Sequence, residues 1–158
     1  MDKAQLLEQV VISLMEDAEK TSASAQAARQ ESIDAPGAMQ SHSDTTKSQQ
    51  DWLAQALAAS SAETREKIQR IQQLDFSPSH EEVREGSIVS LREEGRDQET
   101  YFLLSAGSGI KVSDGSRQIV VTTPSSPIGV AVLGKTAGDR CEVRAPRGVR
   151  HVAIEAVE

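Results

Sequence analysis

Several residue types are nearly missing from this chain. Its 158 residues include 1 cysteine, 1 tryptophan, 1 tyrosine and 2 phenylalanines. A single cysteine cannot form an intrachain disulfide, which suits a reducing compartment, and the expected location is the cytoplasm. Cys141 lies in the alternating run "CEVRA" and reads as a small buried hydrophobe rather than a reactive thiol. So few aromatics would make a poor large core, which favours a small domain joined to something elongated. No apolar run approaches membrane-spanning length, and the N-terminus lacks the charged-then-apolar pattern of a signal peptide. A basic excess is missing too. Net charge is −7, with 7 Lys+Arg against 12 Asp+Glu in residues 1–80 and 10 against 12 in residues 81–158. Phosphate neutralisation alone therefore cannot carry nucleic-acid binding. Neither direct sequence-specific nucleic-acid binding nor a membrane partner is expected. The acidic first half suits a basic partner surface or a metal ion.

Catalytic constellations are also absent from the sequence. His42, His80 and His151 share no metal-ligand spacing with another His or Cys. There is no G-x-S-x-G, no phosphate-binding glycine loop and no C-x-x-C. "GSGIK" lacks a helix-opening context and reads as a turn. The chain is not expected to be an enzyme. Arg144, Arg147 and Arg150 surround the "APRG" turn, either as a positive patch for an acidic partner or as a solvated hairpin end.

What is present begins with a long helical pattern. Residues 2 to about 30 contain no Pro or Gly, and Asp2 can cap the helix. Leu7, Val11, Leu14, Ala18, Thr21, Ala25 and Ala28 step by four and three, the spacing of a coiled-coil seam. Pro36 and Gly37 break the pattern. Ser43 or Asp44 can cap a second helix over about 45–74, whose seam reads Leu57, Ser61, Thr64, Ile68 and Ile71, with Trp52 and Leu53 near its start. Two helices of similar length and one loop predict an antiparallel hairpin over 1–75, with a tip loop at about 31–46. In that register Leu7, Val11 and Leu14 meet Ile71, Ile68 and Thr64. Such helices reach on the order of 40 Å at about 1.5 Å per residue.

After a linker at 76–81 the period becomes two. "GSIVSLRE", "QETYFLLSA", "SGIKVSDGSRQIVVTT", "DRCEVRAP" and "RHVAIEAV" read as strands and turns. "SPIGVAVLGK" reads as a short helix, with Pro127 in its first turn and Gly134 at its end. Residues 82–158 are therefore expected to form a small antiparallel sheet with one short helix, which makes the chain α+β. At the hairpin tip, Glu31, Asp34, His42 and Asp44 gather oxygen donors that can hold Mg²⁺ or orient water, or merely cap and solvate the loop.

A helical hairpin followed by "SPIGVAVLGKTAGDRCEVRAPRG" resembles the GreA/GreB transcription elongation factor family. The residues that carry the resemblance are Ser126, Pro127, Ile128, Leu133, Gly134, Lys135, Gly138, Asp139, Val143, Pro146 and Gly148. The resemblance implies an FKBP-like C-terminal domain that docks on bacterial RNA polymerase at the rim of its secondary channel, with Ser126, Pro127 and Ile128 in the docking surface. It implies a hairpin that enters the channel, and tip carboxylates (here Asp44 and Asp34) that share Mg²⁺ with the polymerase during cleavage of backtracked RNA. No cofactor would be bound stably, and the protein would act as a monomer that stimulates the polymerase's own cleavage. The family's tip carries an Asp and, three residues on, a Glu; here "HSDTTKS" has Asp44 and then Lys47. Alternatives are a channel-binding regulator or inhibitor that does not promote cleavage and, more distantly, an FKBP-like peptide-binding module. The latter fold usually lines its pocket with several aromatics, whereas residues 81–158 offer only Tyr101 and Phe102.

Overall fold

The computed structural model describes residues 2–34, 41–74, 76, 81–146 and 148–158, with side chains for all of these except 32–34 and 41–47. Two helices of 32 residues come first, α1 (Lys3–Asp34) and α2 (Ser41–Gln72). The first runs past its expected end near residue 30, and the second starts before its expected start near residue 45. Residues 31–34 and 41–46 are helical, so the tip loop expected over 31–46 is shorter than that. The reason is local: neither "ESID" nor "SHSD" contains a Pro or Gly that would break a helix. Position 44 accordingly lies inside the first turn of α2 rather than at its N-cap. Pro36, Gly37 and the rest of 35–40 lie outside the described residues, as do most of the 76–81 linker and His80.

Contacts divide the chain into two compact units, Ser13–Glu66 and Met1–Ile12 with Lys67–Glu158. The division falls within the helices rather than in the linker. In the first unit the two helices pair antiparallel. Leu14, Ala18, Ala25 and Ala28 are buried on α1, and Ala54 and Ser61 on α2. The Ser61 hydroxyl donates to the Ala18 carbonyl at 3.1 Å, which sets the register. One heptad further along each helix, Ala25 and Ala54 are buried as well, so small residues line the seam and let the backbones approach. The start of the α2 seam needs correction. Trp52 and Leu53 are exposed, at 71% and 45%, and Ala54 takes the buried position. Ala54 is the next three-residue step of the same pattern back from Leu57.

The second unit is built on a six-stranded sheet of order β3-β4-β2-β1-β6-β5. Its strands are β1 (Ile88–Glu93), β2 (Glu99–Leu103), β3 (Lys111–Ser113), β4 (Gln118–Thr122), β5 (Arg140–Ala145) and β6 (Gly148–Val157). Neighbours run antiparallel except β2 and β4, which are parallel with Tyr101 opposite Val120. The sheet is thus mixed rather than wholly antiparallel. The alternating pattern marks each strand but not its neighbour, and here the β3–β4 hairpin inserts β4 beside β2.

One core packs Val89, Leu91, Tyr101, Leu103, Cys141, Val143, Val152 and Ile154 with Val83 and with Val132 of helix α3 (Pro127–Val132). Alternate positions, including Ile88, Phe102, Ile119 and Val121, are also buried. The Phe76 ring packs on Phe102, with centroids 6.2 Å apart. The first turns of α1 belong to this unit. Leu6 and Val10 are fully buried, whereas the expected Leu7 is half-buried. Two faces of α1 are used here, so a single heptad seam names only part of them. The Gln9 amide donates to Ser113 O at 3.0 Å and accepts from Ser113 N–H at 3.2 Å. It pairs with edge strand β3 as a neighbouring strand would. Lys3 Nζ donates to Gly86 O at 3.2 Å.

Candidate functional site: the α3 turn and the helix pair

Strand β4 ends at Thr122, and "TPSS" turns the chain into α3. Ser126 is the N-cap, with extended backbone (φ −70°, ψ 159°) and Pro127 in the first turn. Its hydroxyl accepts from Gly129 N–H at 3.0 Å and lies 2.6 Å from the Thr122 hydroxyl. The N-cap thereby satisfies one of the helix's free donors. Gly129 sits against the turn: a Cβ there would lie 2.0 Å from Thr123 O and 2.8 Å from Pro124 Cα. No side chain fits without moving backbone. The helix ends at Leu133, and Gly134 takes φ +72°, the left-handed region that glycine enters freely. Gly134 N–H then donates to Val83 O at 2.8 Å, tying the exit of α3 to the segment before β1.

These contacts sort the expected docking residues. Ser126 is occupied in capping. Ile128 is half-buried and packs on the core, while Pro127 faces solvent. Sequence reasoning missed three neighbours: Gly129, which the turn requires, and Val130 and Leu133, which are 68% and 46% exposed. Asking which face of a six-residue helix the core does not use would have found the last two.

Of the arginines around the "APRG" turn, Arg150 is paired with carboxylates. Arg150 Nε donates to Glu93 at 2.8 Å and its Nη2 donates to Glu99 at 2.8 Å. The same Glu99 oxygen accepts from Tyr101 Oη at 2.7 Å. The Glu99 and Glu93 hydrogen bonds push the Arg150 guanidinium above its ordinary value. Burial, then the Glu99 contact, pushes the Tyr101 phenol up to about 12. Burial works to raise Glu99, but the hydrogen bonds from Arg150 and Tyr101 win and hold it below the ordinary carboxylate range. Arg144 is exposed and pairs with Glu142 at 3.5 Å; Arg147 lies outside the described residues. Cys141 is buried in the core, and that burial raises its thiol pKa.

Asp34 closes α1 and Asp44 falls in the first turn of α2. Their side chains, with those of His42 and Lys47, lie outside the described residues. His151 is exposed. Among the described residues no group of three or more His, Cys, Asp or Glu could hold a metal ion, and no helix is long and apolar enough to cross a membrane.

The family model for the C-terminal part of the transcription elongation factor GreA/GreB matches residues 78–158, which contain the whole sheet and α3. The chain belongs to the GreA/GreB family. It is 34% identical over 113 residues to the transcription elongation factor GreA of Phenylobacterium zucineum, covering 71% of this chain and 66% of that relative. It is 31% identical over 99 residues to GreA of Streptococcus pneumoniae serotype 19F, covering 63% and 58%. The match thus spans less than two thirds of either GreA protein. Among solved structures, Thermus aquaticus Gfh1 superposes with a TM-score of 0.41 at 18% identity, covering 96% of this chain and 95% of that one. The GreA/GreB factor of Nitrosomonas europaea gives 0.38 at 23% identity, covering 61% and 78%.

Proposed function

We propose that this GreA/GreB-family chain regulates transcription elongation by binding bacterial RNA polymerase near its secondary channel. The domain at 82–158 docks through the surface around Ser126, Pro127 and Ile128. The helical hairpin of 1–75 enters the channel. The observation that carries the reading is the capped α3 turn: its "SPI" start, Gly134 exit and outward Pro127 lie within the segment that matches the family. The helix pair supports it as a carrier of acidic residues rather than a nucleic-acid binder.

Two outcomes at the tip remain in play, and the sequence separates them. Asp44 and Asp34 offer the oxygen donors Mg²⁺ takes, and one or two carboxylates suffice when water fills the other positions. Bound there with the polymerase's own groups, the ion would supply electrostatic stabilisation of the displaced phosphate oxygens. Lys47 stands where the family's tip has a second carboxylate, and its charge opposes a cation. That residue favours the second reading, a channel-binding regulator that does not stimulate cleavage. Either way the chain assists or restrains the polymerase and is not itself the enzyme.

The test is a pull-down with bacterial core RNA polymerase, followed by transcript cleavage in backtracked complexes with Mg²⁺. Binding is expected, and its loss in Pro127→Ala with Ile128→Asp supports the docking surface. Undiminished binding by that variant would remove the assignment.

A further inference from the structure

We propose that β5 is a self-pairing edge: two copies of this chain join through antiparallel β5 strands about a two-fold axis at Val143, with Glu142 of each copy opposite Arg144 of the other. The inference goes beyond the docking reading and does not depend on it. The strand order makes β3 and β5 the edges of the sheet. An edge presents backbone groups that can pair with another strand. At β3 the Gln9 amide takes up the N–H and C=O of Ser113. In an antiparallel ladder, residues aim these groups alternately at the partner strand and away from it. Ile154 N–H donates to Asp139 O at 2.9 Å, so Asp139 faces β6. By alternation Cys141, Val143 and Ala145 face β6 too, while Arg140, Glu142 and Arg144 aim their backbone groups outward. Among the described residues, no turn, loop or cap backbone bonds to these three.

Edge strands are commonly kept single by a proline, a bulge, shortness or repelling charge. β5 runs 6 residues without Pro or Gly, and its register with β6 is unbroken from Arg140–Ala153 to Ala145–Gly148. Its exposed face carries charge of alternating sign, Arg140, Glu142 and Arg144. A two-fold axis lets such a strand meet itself in only a few registers. Centred on Glu142, it sets Glu142 against Glu142 and Arg140 against Arg144, and like charges directly opposite repel. Centred on Cys141, it sets Arg140 against Glu142 but also Asp139 against Val143. Centred on Val143, it sets Glu142 against Arg144 on one face, and Val143 against Val143 and Cys141 against Ala145 on the other. That register suits both faces. Its Glu142–Arg144 pairs are also the ones that exchange both N–H···O bonds. A contact of this kind, the same patch on both copies, closes at a dimer. The single-copy state implied by the family resemblance is then the dilute form.

Sedimentation of the full chain over a range of concentrations tests the pairing for wild type, Glu142→Arg, Arg144→Glu, and the exchange of Glu142→Arg with Arg144→Glu. Positions 142 and 144 are exposed, so each variant should fold, which far-ultraviolet dichroism and melting check. Wild type is expected to form a dimer that dissociates on dilution. Either single variant should weaken it at least about tenfold, because each substitution acts twice across the axis and sets like charges face to face. The exchange restores opposite charges and should return association to within about threefold of wild type. Hydrogen exchange locates the surface: the amides of Glu142 and Arg144 should exchange more slowly in concentrated than in dilute protein. A chain that stays monomeric up to about 1 mM overturns the inference. So does a dimer that the single variants leave intact or the exchange fails to restore. An Arg144→Glu dimer as tight as wild type, with Glu142→Arg weakened, would place the axis at Cys141 and overturn the register proposed. A dimer whose newly protected amides lie on α1 or α2 would assign another surface and overturn the pairing.

Discussion

The Ser126 hydroxyl accepts from Gly129 N–H at 3.0 Å, while a Cβ on Gly129 would meet Thr123 O at 2.0 Å. One hydrogen bond and one missing side chain thus seat α3 on the turn that precedes it. Gly129→Ala forces backbone apart, which no rotamer change relieves, and should cost about 2 kcal/mol or more, beyond ordinary overpacking. Ser126→Ala removes only the cap and should cost about 1 kcal/mol. Urea unfolding of both variants checks the order. A Gly129→Ala protein as stable as wild type would contradict the packing described.

Ser61 offers a second pair of opposed substitutions. It is buried in the helix seam and donates to Ala18 O at 3.1 Å. Ser61→Ala deletes one hydrogen bond whose acceptor also belongs to a helix, so the expected loss is about 1 kcal/mol or less. Ser61→Leu puts three more carbons where small residues let the backbones approach, and should cost about 1–3 kcal/mol. Thermal melting distinguishes them. A Leu variant that melts higher than wild type would mean that the seam has room to spare.

The Gln9 amide covers Ser113 at the edge of the sheet through two hydrogen bonds. Both groups are exposed, so Gln9→Ala should change global stability little. The amide of Ser113 should nonetheless exchange with solvent faster, because its acceptor is gone. Hydrogen exchange resolved to that residue reads the effect. Unchanged protection at Ser113 would show that the contact contributes nothing.

Tyr101 is the single tyrosine, so its titration is read without interference from another phenol. Burial first, and the Glu99 hydrogen bond second, raise it to about 12 from the ordinary 10.0. The folded protein holds this proton more tightly than the unfolded chain does. Its contribution to stability is therefore complete below about pH 10 and is lost as pH rises from there through about 12. Glu99→Gln removes the charge that opposes ionisation but leaves the burial. Phenolate absorbance should then titrate at lower pH than in wild type, and still above 10. A wild-type midpoint at 10 would place Tyr101 in solvent.

Much of this was legible in the sequence, and the misses share a cause. The heptad steps located Ala18, Ala25, Ser61 and Ile68, because a helix that buries one stripe repeats it. They missed Leu6 and Val10, because α1 buries a second face where it joins the sheet unit. "SPIGVAVLGK" foretold α3 and its glycine exit, since caps and turns are local chemistry. It could not foretell that Gly129 is pressed on Thr123 O, a close approach set by how the turn folds back. Nor could alternation reveal that β2 and β4 run parallel. The alternatives for the arginines near "APRG" stayed open for a similar reason: Arg150 finds Glu93 on β1 and Glu99 on β2, strands far away in sequence.

Asp44 and Lys47 stand three residues apart in the sequence of α2. The family's pattern puts two carboxylates at that spacing, and this chain has Asp44 and Lys47. If the missing acid is what separates this chain from a cleavage factor, Lys47→Glu should restore the function. The substitution exchanges a charge that repels Mg²⁺ for one that attracts it, a change of two units three residues from Asp44 in sequence. Glu and Lys have similar helix propensity, so folding should be undisturbed. In backtracked complexes with Mg²⁺, wild type is expected to leave the cleavage rate near that of polymerase alone. The Lys47→Glu variant should raise it at least about tenfold, a gain of roughly 1.4 kcal/mol at the barrier. Adding Asp44→Ala to that variant should abolish the gain, because the pair of carboxylates three residues apart is then lost. Robust cleavage with wild type would show that Lys47 is no obstacle. An inert Lys47→Glu variant that still binds polymerase would show that the difference lies elsewhere in the tip.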